Sequence, residues 1–266
     1  FYLLHCLQKK HWAKMRELGV LAWAEELRAA GRIGHFGFSF HDTYDAFVEV
    51  LDTYDWSFCQ IQYNFVNEEV QAGTKGLKYA AAKGVGVIVM EPLFGGTLAN
   101  PPPPIGKIWN AAGTHVEPVD LALRWVWNQP EVSLALSGMG TLDQVRQNIA
   151  IAGRAGVGTL TPAELDLLAR VRDEYQRLSP IACTKCGYCL PCPSGVNIPL
   201  NFELYNQATV FEGSSRLLCR NLYLGLPESE RAAACEQCGT CEERCPQHLA
   251  VADLLGRVDE CFASVV

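Results

Sequence analysis

Residues 183–193 read CTKCGYCLPCP, and residues 235–246 read CEQCGTCEERCP. Each of these two cysteine runs has three cysteines at C-x2-C-x2-C spacing and a fourth cysteine that directly precedes a proline. Two intervening residues let the backbone curl round one corner of a cluster, so that three successive sulfurs point at three irons. The runs therefore predict two [4Fe-4S] clusters and a chain that transfers single electrons.

The fourth cysteine of each run is expected to ligate the other cluster, as it does in two-cluster ferredoxins. The first run has two residues between its third and fourth cysteines instead of the usual three, so this crosswise arrangement does not follow from the spacing alone. The expected ligands of the first cluster are Cys183, Cys186, Cys189 and Cys245, and those of the second are Cys235, Cys238, Cys241 and Cys192.

Zinc and disulfides are the alternative uses of clustered cysteines. C-x2-C pairs also hold zinc in sites of four thiolates, but such sites usually have two pairs separated by a longer loop. A disulfide framework is typical of small secreted chains, and no secretory segment is visible in this sequence. The other cysteines are expected to be small buried apolar residues, and they are Cys6, Cys59, Cys219 and Cys261.

The composition is typical of a globular protein. The 266 residues are 49% apolar and 19% charged, which is enough to bury a large core and to form two domains. The formal net charge of -7 and the lack of a basic run argue against nucleic acid as a partner. No stretch of 18 consecutive apolar residues is present, so we expect no membrane span. Because oxygen attacks exposed clusters, we expect a cytoplasmic location.

Apolar strand-like runs alternate with amphipathic segments before the first cysteine run. This alternation is typical of repeated βα units around a parallel sheet. Strands are predicted at 1–4, 33–40, 58–63, 85–90 and 132–136, and helices at 17–30, 43–54, 74–83 and 118–128. Two further helices are predicted to begin at Thr141 and Thr161, where Gln144 and Glu164 complete capping boxes. The four prolines at 101–104 predict either a loop that covers an active site or a surface excursion.

Five βα units are predicted, whereas a closed (β/α)8 barrel has eight. An open sheet of five strands would leave two unpaired edges, which natural sheets avoid. The chain also opens on Phe1, within an apolar run. We therefore expect the second half of a TIM barrel, with roughly 90–110 residues upstream at the usual size of a βα unit.

The predicted fold class is α/β, with this partial barrel over residues 1–178 and a small dicluster domain over residues 179–266. The stretch 193–234 contains apolar-periodic segments of helix length and few strand signals. The dicluster domain is therefore predicted to be α-helical.

The strand ends carry a resemblance to a known family. The strings FYLLHCL, IGHFGFSFHD, FCQIQYN, VIVMEPLFGG and ALSGMGTLDQVRQNI resemble the second half of the aldo/keto reductase barrel. With the cysteine runs after the barrel, the whole chain is similar to the subgroup that carries a C-terminal 4Fe-4S dicluster ferredoxin domain. The resemblance implies an enzyme that transfers hydride between a nicotinamide cofactor and a small carbonyl or alcohol substrate.

The family's catalytic Asp, Tyr, Lys and His are represented here by the histidine alone. The resemblance assigns that role to His5, which would orient the carbonyl and assist its protonation. We expect the 266-residue chain by itself to be inactive, with the other three residues upstream. Ser39 and Gln60 match residues that hold the nicotinamide carboxamide, although Phe40 replaces the asparagine usually found beside the serine. Met90 stands where many members stack an aromatic ring on the nicotinamide.

The rest of the cofactor site is expected at the last strand. Gly138, Gly140 and Thr141 precede a helix, whose free backbone amides suit a phosphate, although a simple helix cap is the alternative. Gly138 and Gln144 stand where NADPH-selective relatives carry Lys and Arg, so their absence weakens the case for NADPH over NADH without deciding between the two. Asn148 matches a residue that contacts adenine.

Two hypotheses for function remain. In the first, the barrel carries out carbonyl or alcohol chemistry, and the clusters exchange electrons with a redox partner protein of unknown identity. Nicotinamide delivers two electrons and each cluster passes one, so a flavin is a further candidate cofactor. In the second, the barrel is catalytically degenerate, as Phe40, Met90 and Gly138 indicate, and the chain only carries electrons. A weaker third alternative is that the clusters only brace the C-terminal domain.

Overall fold

The structure is a computed structural model that describes residues 1–96, 98–113, 117–183, 186–210 and 214–263. The chain divides into two compact units. The first comprises Phe1–Pro101 with Trp109–Arg170, and the second comprises Pro102–Ile108 with Val171–Val266. The predicted domain boundary after residue 178 stays a prediction.

The first unit is built on a sheet of five parallel strands, as the sequence predicts. The strands lie in chain order across the sheet. They are β1 (Tyr2–Leu7), β2 (Phe36–Phe40), β3 (Phe58–Gln62), β4 (Gly86–Met90) and β5 (Val132–Ala135). Within the described residues β1 and β5 each pair with one strand only, which is the open arrangement expected of half a barrel.

Helices connect the strands and follow the sheet. They are α1 (Lys9–Glu17), α2 (Val20–Ala29), α3 (Tyr44–Asp52), α4 (Gly73–Ala82), α5 (Pro103–Ala111), α6 (Pro118–Trp127), α7 (Leu142–Ala152) and α8 (Pro162–Leu178). Both predicted capping boxes are confirmed. Thr141 and Gln144 cap α7, and Thr161 and Glu164 exchange the corresponding bonds at the start of α8.

Two details of the sequence prediction are wrong. The helix predicted at 17–30 begins only at Val20, because Gly19 adopts a left-handed conformation with a φ of 74° between α1 and α2, and α1 itself was not predicted. The prolines at 101–104 do not all lie in a loop, since α5 begins at Pro103. Proline is favoured in the first turn of a helix, where its fixed φ suits the helix and its missing N–H is not needed.

The centre of the sheet is packed with aromatic residues. All five residues of β2 are buried, which is typical of a parallel strand covered on both faces. Phe38 packs against Trp56 with ring centroids 4.7 Å apart. A Cβ on Gly37 would lie 2.4 Å from the Phe58 carbonyl oxygen, so only glycine allows β2 and β3 to approach this closely.

The second unit is helical in its described part, as predicted. Its own helices are α9 (Ile198–Val210), α10 (Ser214–Gly225), α11 (Thr240–Glu243) and α12 (Val251–Ala263). Phe202, Leu255 and Phe262 lie in its core. The fully buried Asn201 donates to the Glu230 carbonyl and accepts from the Ala232 amide, which ties α9 to the segment before the second cysteine run. Of the described helices, none is both long and apolar enough to cross a membrane.

Candidate metal centres and barrel mouth

Four cysteines of the second unit line one concavity, which we call site 1. They are Cys183, Cys186, Cys189 and Cys245. The space measures about 350 Å³, part of it open to solvent. Its other walls are mainly apolar. They include Phe202 of α9, Val251 at the start of α12, and Leu249 just before that helix. The fourth cysteine of the second run therefore faces the first three cysteines of the first run.

The remaining four cysteines of the two runs line a second concavity, which we call site 2. They are Cys192, Cys235, Cys238 and Cys241. Its space is about 310 Å³, again partly open to solvent. Ile198, which is 1% exposed, lines both spaces, so the two sites are neighbours across the start of α9.

The two groups of thiols coincide with the crosswise sets that the spacing and the ferredoxin pattern predict. Across the described ranges, no three His, Cys, Asp or Glu side chains converge as ligands of one metal ion, and the thiols surround spaces instead. The ligand assignment itself stays a prediction.

Glycine gives the two runs a shared local geometry. Each run contains C-G-x-C, and the glycines, Gly187 and Gly239, have left-handed φ values of 78° and 76°. Such a φ reverses the chain between the second and third cysteines at no steric cost. Gln237 and His248 adopt left-handed φ values without being glycine, and both stand next to the cysteine loops. Backbone strain of this kind is found where surrounding structure or a ligand holds the chain.

The thiols of the two sites differ in their electrostatics. The pKa of the Cys189 thiol is raised to about 12, mainly by burial and then by the charges of the neighbouring Cys183 and Cys186 thiolates. A thiol of that kind gives up its proton when a metal cation takes its place. The pKa of Cys238 is lowered instead, because the Thr240 hydroxyl and then the Thr240 backbone amide hydrogen-bond to its sulfur. Four thiols round one space are a donor set that fits an iron-sulfur cluster.

At the barrel mouth, Ser39 is bonded to the strand that carries His5. His5 is exposed on β1. Directly after it, Cys6 has a φ of 55°, and the pairing of β1 with β2 shifts between Leu4 and Leu7. The Cys6 amide donates to Ser39 Oγ at 2.7 Å, and Ser39 is 1% exposed. Ser39 therefore holds the irregular end of β1 in the structure described.

Gln60 and Met90, both expected to face nicotinamide, contact each other. The Gln60 amide nitrogen lies 3.3 Å from the Met90 sulfur, across the neighbouring strands β3 and β4. Phe40, which replaces the expected asparagine, is fully buried, and its ring packs on Phe47 at a centroid distance of 5.1 Å. Phe40 therefore belongs to the core and not to the polar surface of the mouth.

The expected phosphate site after β5 is closed by its own helix cap. Gln144 Oε1 accepts from the amides of Gly140 and Thr141 at 2.8 and 3.2 Å. A phosphate at these amides would have to displace the Gln144 side chain. The Asn148 side chain donates to Ser137 Oγ at 3.0 Å, and a side chain at Gly138 would meet no atom within 4 Å. In the described residues, no hydrogen bond joins this segment to His5, Ser39 or Gln60.

Comparison with known proteins decides the family. Residues 1–155 match the model of the aldo/keto reductase family. The chain belongs to the aldo/keto reductase family. Residues 182–251 match the model of the 4Fe-4S dicluster domain, so an aldo/keto reductase domain and a dicluster domain stand in one chain.

Two curated relatives match different parts of the chain. An iron-sulfur subunit of the CoB–CoM heterodisulfide reductase of Methanopyrus kandleri is 34% identical over 93 residues, which are 33% of this chain and 42% of that protein. An uncharacterized oxidoreductase of Schizosaccharomyces pombe is 30% identical over 129 residues, which are 48% of this chain and 40% of that protein. The chain therefore spans about two fifths of the length of these relatives.

Two solved aldo-keto reductases align with part of the chain. The apo enzyme of Bacillus halodurans is 21% identical with a TM-score of 0.46, and the match covers 55% of this chain and 54% of that one. The Klebsiella pneumoniae enzyme in complex with NADPH is 24% identical with a TM-score of 0.47, and the match covers 64% and 57%.

The aldo/keto reductase domain has a further polar group that the sequence analysis missed. His41 directly follows β2, and its pKa is lowered mainly by burial; its side-chain interaction with Gln71 opposes this shift, and the nearby charge of His5 adds to it. Gln71 donates to Gln62 Oε1 at 3.2 Å, and Gln62 is 3% exposed. Polar residues directly after buried strands, as in SFHD and QIQYN, are the signal that could have found this group.

Proposed function

We propose that this oxidoreductase couples two kinds of redox chemistry. The aldo/keto reductase barrel carries nicotinamide-linked chemistry on a small carbonyl or alcohol. The cysteines of sites 1 and 2 hold two [4Fe-4S] clusters that exchange electrons with a redox partner. This proposal concerns the whole protein, since the chain spans about two fifths of its curated relatives.

The two groups of thiols are the observation that carries the proposal. Each space has three cysteines of one run and the last cysteine of the other, the donor set of a dicluster ferredoxin. Bound there, such clusters each accept and donate one electron. The chain itself contributes the apolar walls from α9 and α12, which limit water around the thiolates. Ile198 lines both spaces, so the two clusters would be neighbours.

In the barrel, the proposed roles fall to residues at the ends of three strands. His5 would orient a substrate carbonyl and hold a proton near its oxygen. Ser39 and Gln60 would hold the carboxamide of the nicotinamide, and Gln60 would exchange its contact with the Met90 sulfur for that amide. Gly140 and Thr141 would present their amides to a phosphate after Gln144 turns away. The nicotinamide supplies the hydride when bound.

A second candidate function is an electron-transfer module on a catalytically degenerate barrel. The polar groups expected to bind the nucleotide are engaged with other groups of the chain in the structure described. Gln60 contacts Met90, Ser39 accepts from Cys6, and Gln144 closes its own cap. The buried Phe40 also fills the place of a polar residue that the family uses.

One anaerobic experiment tests the proposal and separates these candidates. The protein is purified without oxygen, and its iron, acid-labile sulfide and flavin are measured. Equal amounts of iron and sulfide are expected, with EPR signals of two reduced [4Fe-4S] clusters after dithionite. NADH or NADPH is then added in place of dithionite, followed by a small aldehyde or ketone.

Nucleotide oxidation that depends on the carbonyl would support the coupled oxidoreductase. Two clusters without any nucleotide binding would favour the electron-transfer module. A protein that holds zinc, or iron without sulfide, would overturn both candidates.

A further inference from the structure

We propose that Thr240 makes the cluster of site 2 the more readily reduced of the two, through a hydrogen bond from its hydroxyl to Cys238. This inference rests on the proposed two-cluster function. Thr240 is not itself a ligand. It would act through Cys238, by changing the reduction potential of the cluster that Cys238 holds.

The two cysteine runs differ at this point of their otherwise equivalent loops. The first run reads C-G-Y-C over residues 186–189, and the second reads C-G-T-C over residues 238–241. The glycines have nearly the same left-handed φ, 78° at Gly187 and 76° at Gly239, so the loops turn alike. Tyr188 and Thr240 therefore occupy corresponding positions, with side chains of different length and chemistry.

Thr240 is placed to contact the neighbouring thiol. Its Oγ1 lies 3.5 Å from Cys238 Sγ, and its backbone amide also contacts that sulfur. A protonated thiol can donate to the hydroxyl, but a cluster-bound thiolate has no proton, so the hydroxyl must then be the donor. The amide contact belongs to the backbone and persists whatever side chain is present at residue 240.

A donor at a ligating sulfur stabilises the reduced cluster more than the oxidised one, because reduction adds negative charge. Hydrogen bonds to the sulfurs and solvent exposure are two of the quantities that set the potential of such clusters. Cys238 is exposed, so solvent exposure and the Thr240 hydrogen bond both raise the reduction potential of the site 2 cluster. The negative charge of Glu236 would lower that potential, but Glu236 is exposed and its charge is therefore largely screened by salt.

Site 1 has a less polar surrounding. Its space is walled by Phe202, Leu249 and Val251, and none of its four cysteines is exposed. A low-dielectric surrounding disfavours added charge, so reduction at site 1 is expected at a more negative potential. An electron that enters the chain would therefore rest at site 2, next to the exposed Cys238.

The test is an EPR-monitored redox titration of the anaerobic full chain with dithionite and mediators. Thr240→Val removes the hydroxyl and keeps the shape of the side chain, whereas Thr240→Ser keeps the hydroxyl. Tyr188→Phe is the matched control, since it removes the hydroxyl at the corresponding position of the other run. Cys245→Ser, which removes an expected ligand of site 1, identifies the signal that belongs to site 2.

In Thr240→Val, the midpoint of the site 2 cluster should become more negative. At a fixed potential the ratio of reduced to oxidised cluster should fall roughly threefold to tenfold, and tenfold corresponds to about 59 mV for one electron. Thr240→Ser should retain most of the wild-type midpoint. Tyr188→Phe should leave the site 2 midpoint unchanged.

Each other outcome has a definite meaning. Wild-type protein without two cluster signals would refute the proposed function before any variant is compared. Two clusters with the same site 2 midpoint in wild type and Thr240→Val would refute the role of Thr240 alone. Loss of the site 2 cluster from both Thr240→Val and Thr240→Ala, with retention in Thr240→Ser, would make the hydroxyl a requirement for assembly and also overturn the proposal.

Discussion

The cysteine sites and the barrel mouth differ in how their functional groups are engaged. In sites 1 and 2 four thiols line one space each, and both spaces are partly open to solvent. At the barrel mouth, polar side chains are already bonded within the chain, Gln60 to the Met90 sulfur and Gln144 to the backbone amides of its own cap. A set of donors facing a space is prepared for a ligand, whereas a set already bonded within the chain must first exchange partners. The cluster sites therefore carry the stronger functional argument.

Double cysteine substitutions test the first half of this comparison and should have the largest effect. Cys183 and Cys245 are expected to belong to the same site, so Cys183→Ser combined with Cys245→Ser should remove only about half of the bound iron. Cys183→Ser combined with Cys192→Ser affects both sites and should remove nearly all of it. Iron and sulfide analysis of the anaerobic proteins provides the measurement.

Cys219→Ser is the control for these variants, because Cys219 is buried in the same unit but lines neither space. It should keep its full iron content. If the pair Cys183 and Cys245 loses all iron while Cys183 and Cys192 lose half, each run ligates its own cluster and the crosswise arrangement is wrong.

Local sequence signals predicted much of the fold and the cysteine sets. The capping boxes at Thr141 and Thr161 were predictable because each needs only four consecutive residues. The strands could be located because short apolar runs between turn residues are a local pattern. The break at Gly19 was missed, because periodicity continues across a glycine and does not show its conformation.

Contacts between distant residues could not be predicted in this way. Gln60 and Met90 are 30 residues apart, and their contact depends on the register of β3 and β4. The bond from the Cys6 amide to Ser39 depends on the irregular end of β1, which no pattern in the sequence marks. The group of His41, Gln71 and Gln62 also forms only when separate segments meet.

The aldo/keto reductase domain should owe much of its stability to a buried ion network that involves no cofactor. Arg124 lies 2.7 Å from Glu164 and 3.6 Å from Asp120, and the three side chains are 10–14% exposed. Arg124→Ala leaves both carboxylates without this partner and should lower the free energy of unfolding by about 3–5 kcal/mol. Urea unfolding monitored by circular dichroism provides the measurement.

The matched control is Arg146→Ala, which breaks an ion pair with Asp143 whose side chains are 69% and 92% exposed. Its cost should be about 0–1 kcal/mol. Equal costs for the two arginine variants would show that burial does not strengthen the network around Arg124.

Gln60 offers a test of the second half of the comparison. If its amide exchanges Met90 for nicotinamide, Gln60→Leu should weaken NADH or NADPH binding about tenfold, as the loss of one hydrogen bond of about 1.4 kcal/mol implies. The exposed Gln147 on α7 supplies the control Gln147→Leu, which should leave binding unchanged. Fluorescence titration of the bound nucleotide measures both. Nucleotide binding that is equal in wild type and Gln60→Leu would leave Gln60 as a purely structural partner of Met90.

The smallest expected effect concerns His41, whose engagement with Gln71 resembles that of the other groups at the barrel mouth. Burial is the main reason why the pKa of folded His41 lies below its ordinary value of 6.5. As the pH falls through that value, the unfolded chain binds a proton before the folded chain does, so the free energy of unfolding decreases until the lower folded pKa is reached. In His41→Gln this loss should be absent, and denaturant unfolding of both proteins from pH 8 to pH 5 should show their stabilities converging towards acid. His35→Gln, at an exposed histidine stacked on Phe1, controls for substitution of an imidazole as such. If wild type and His41→Gln show parallel curves, His41 is solvated like a surface residue, and the bonding within the chain at the barrel mouth does not extend to this group.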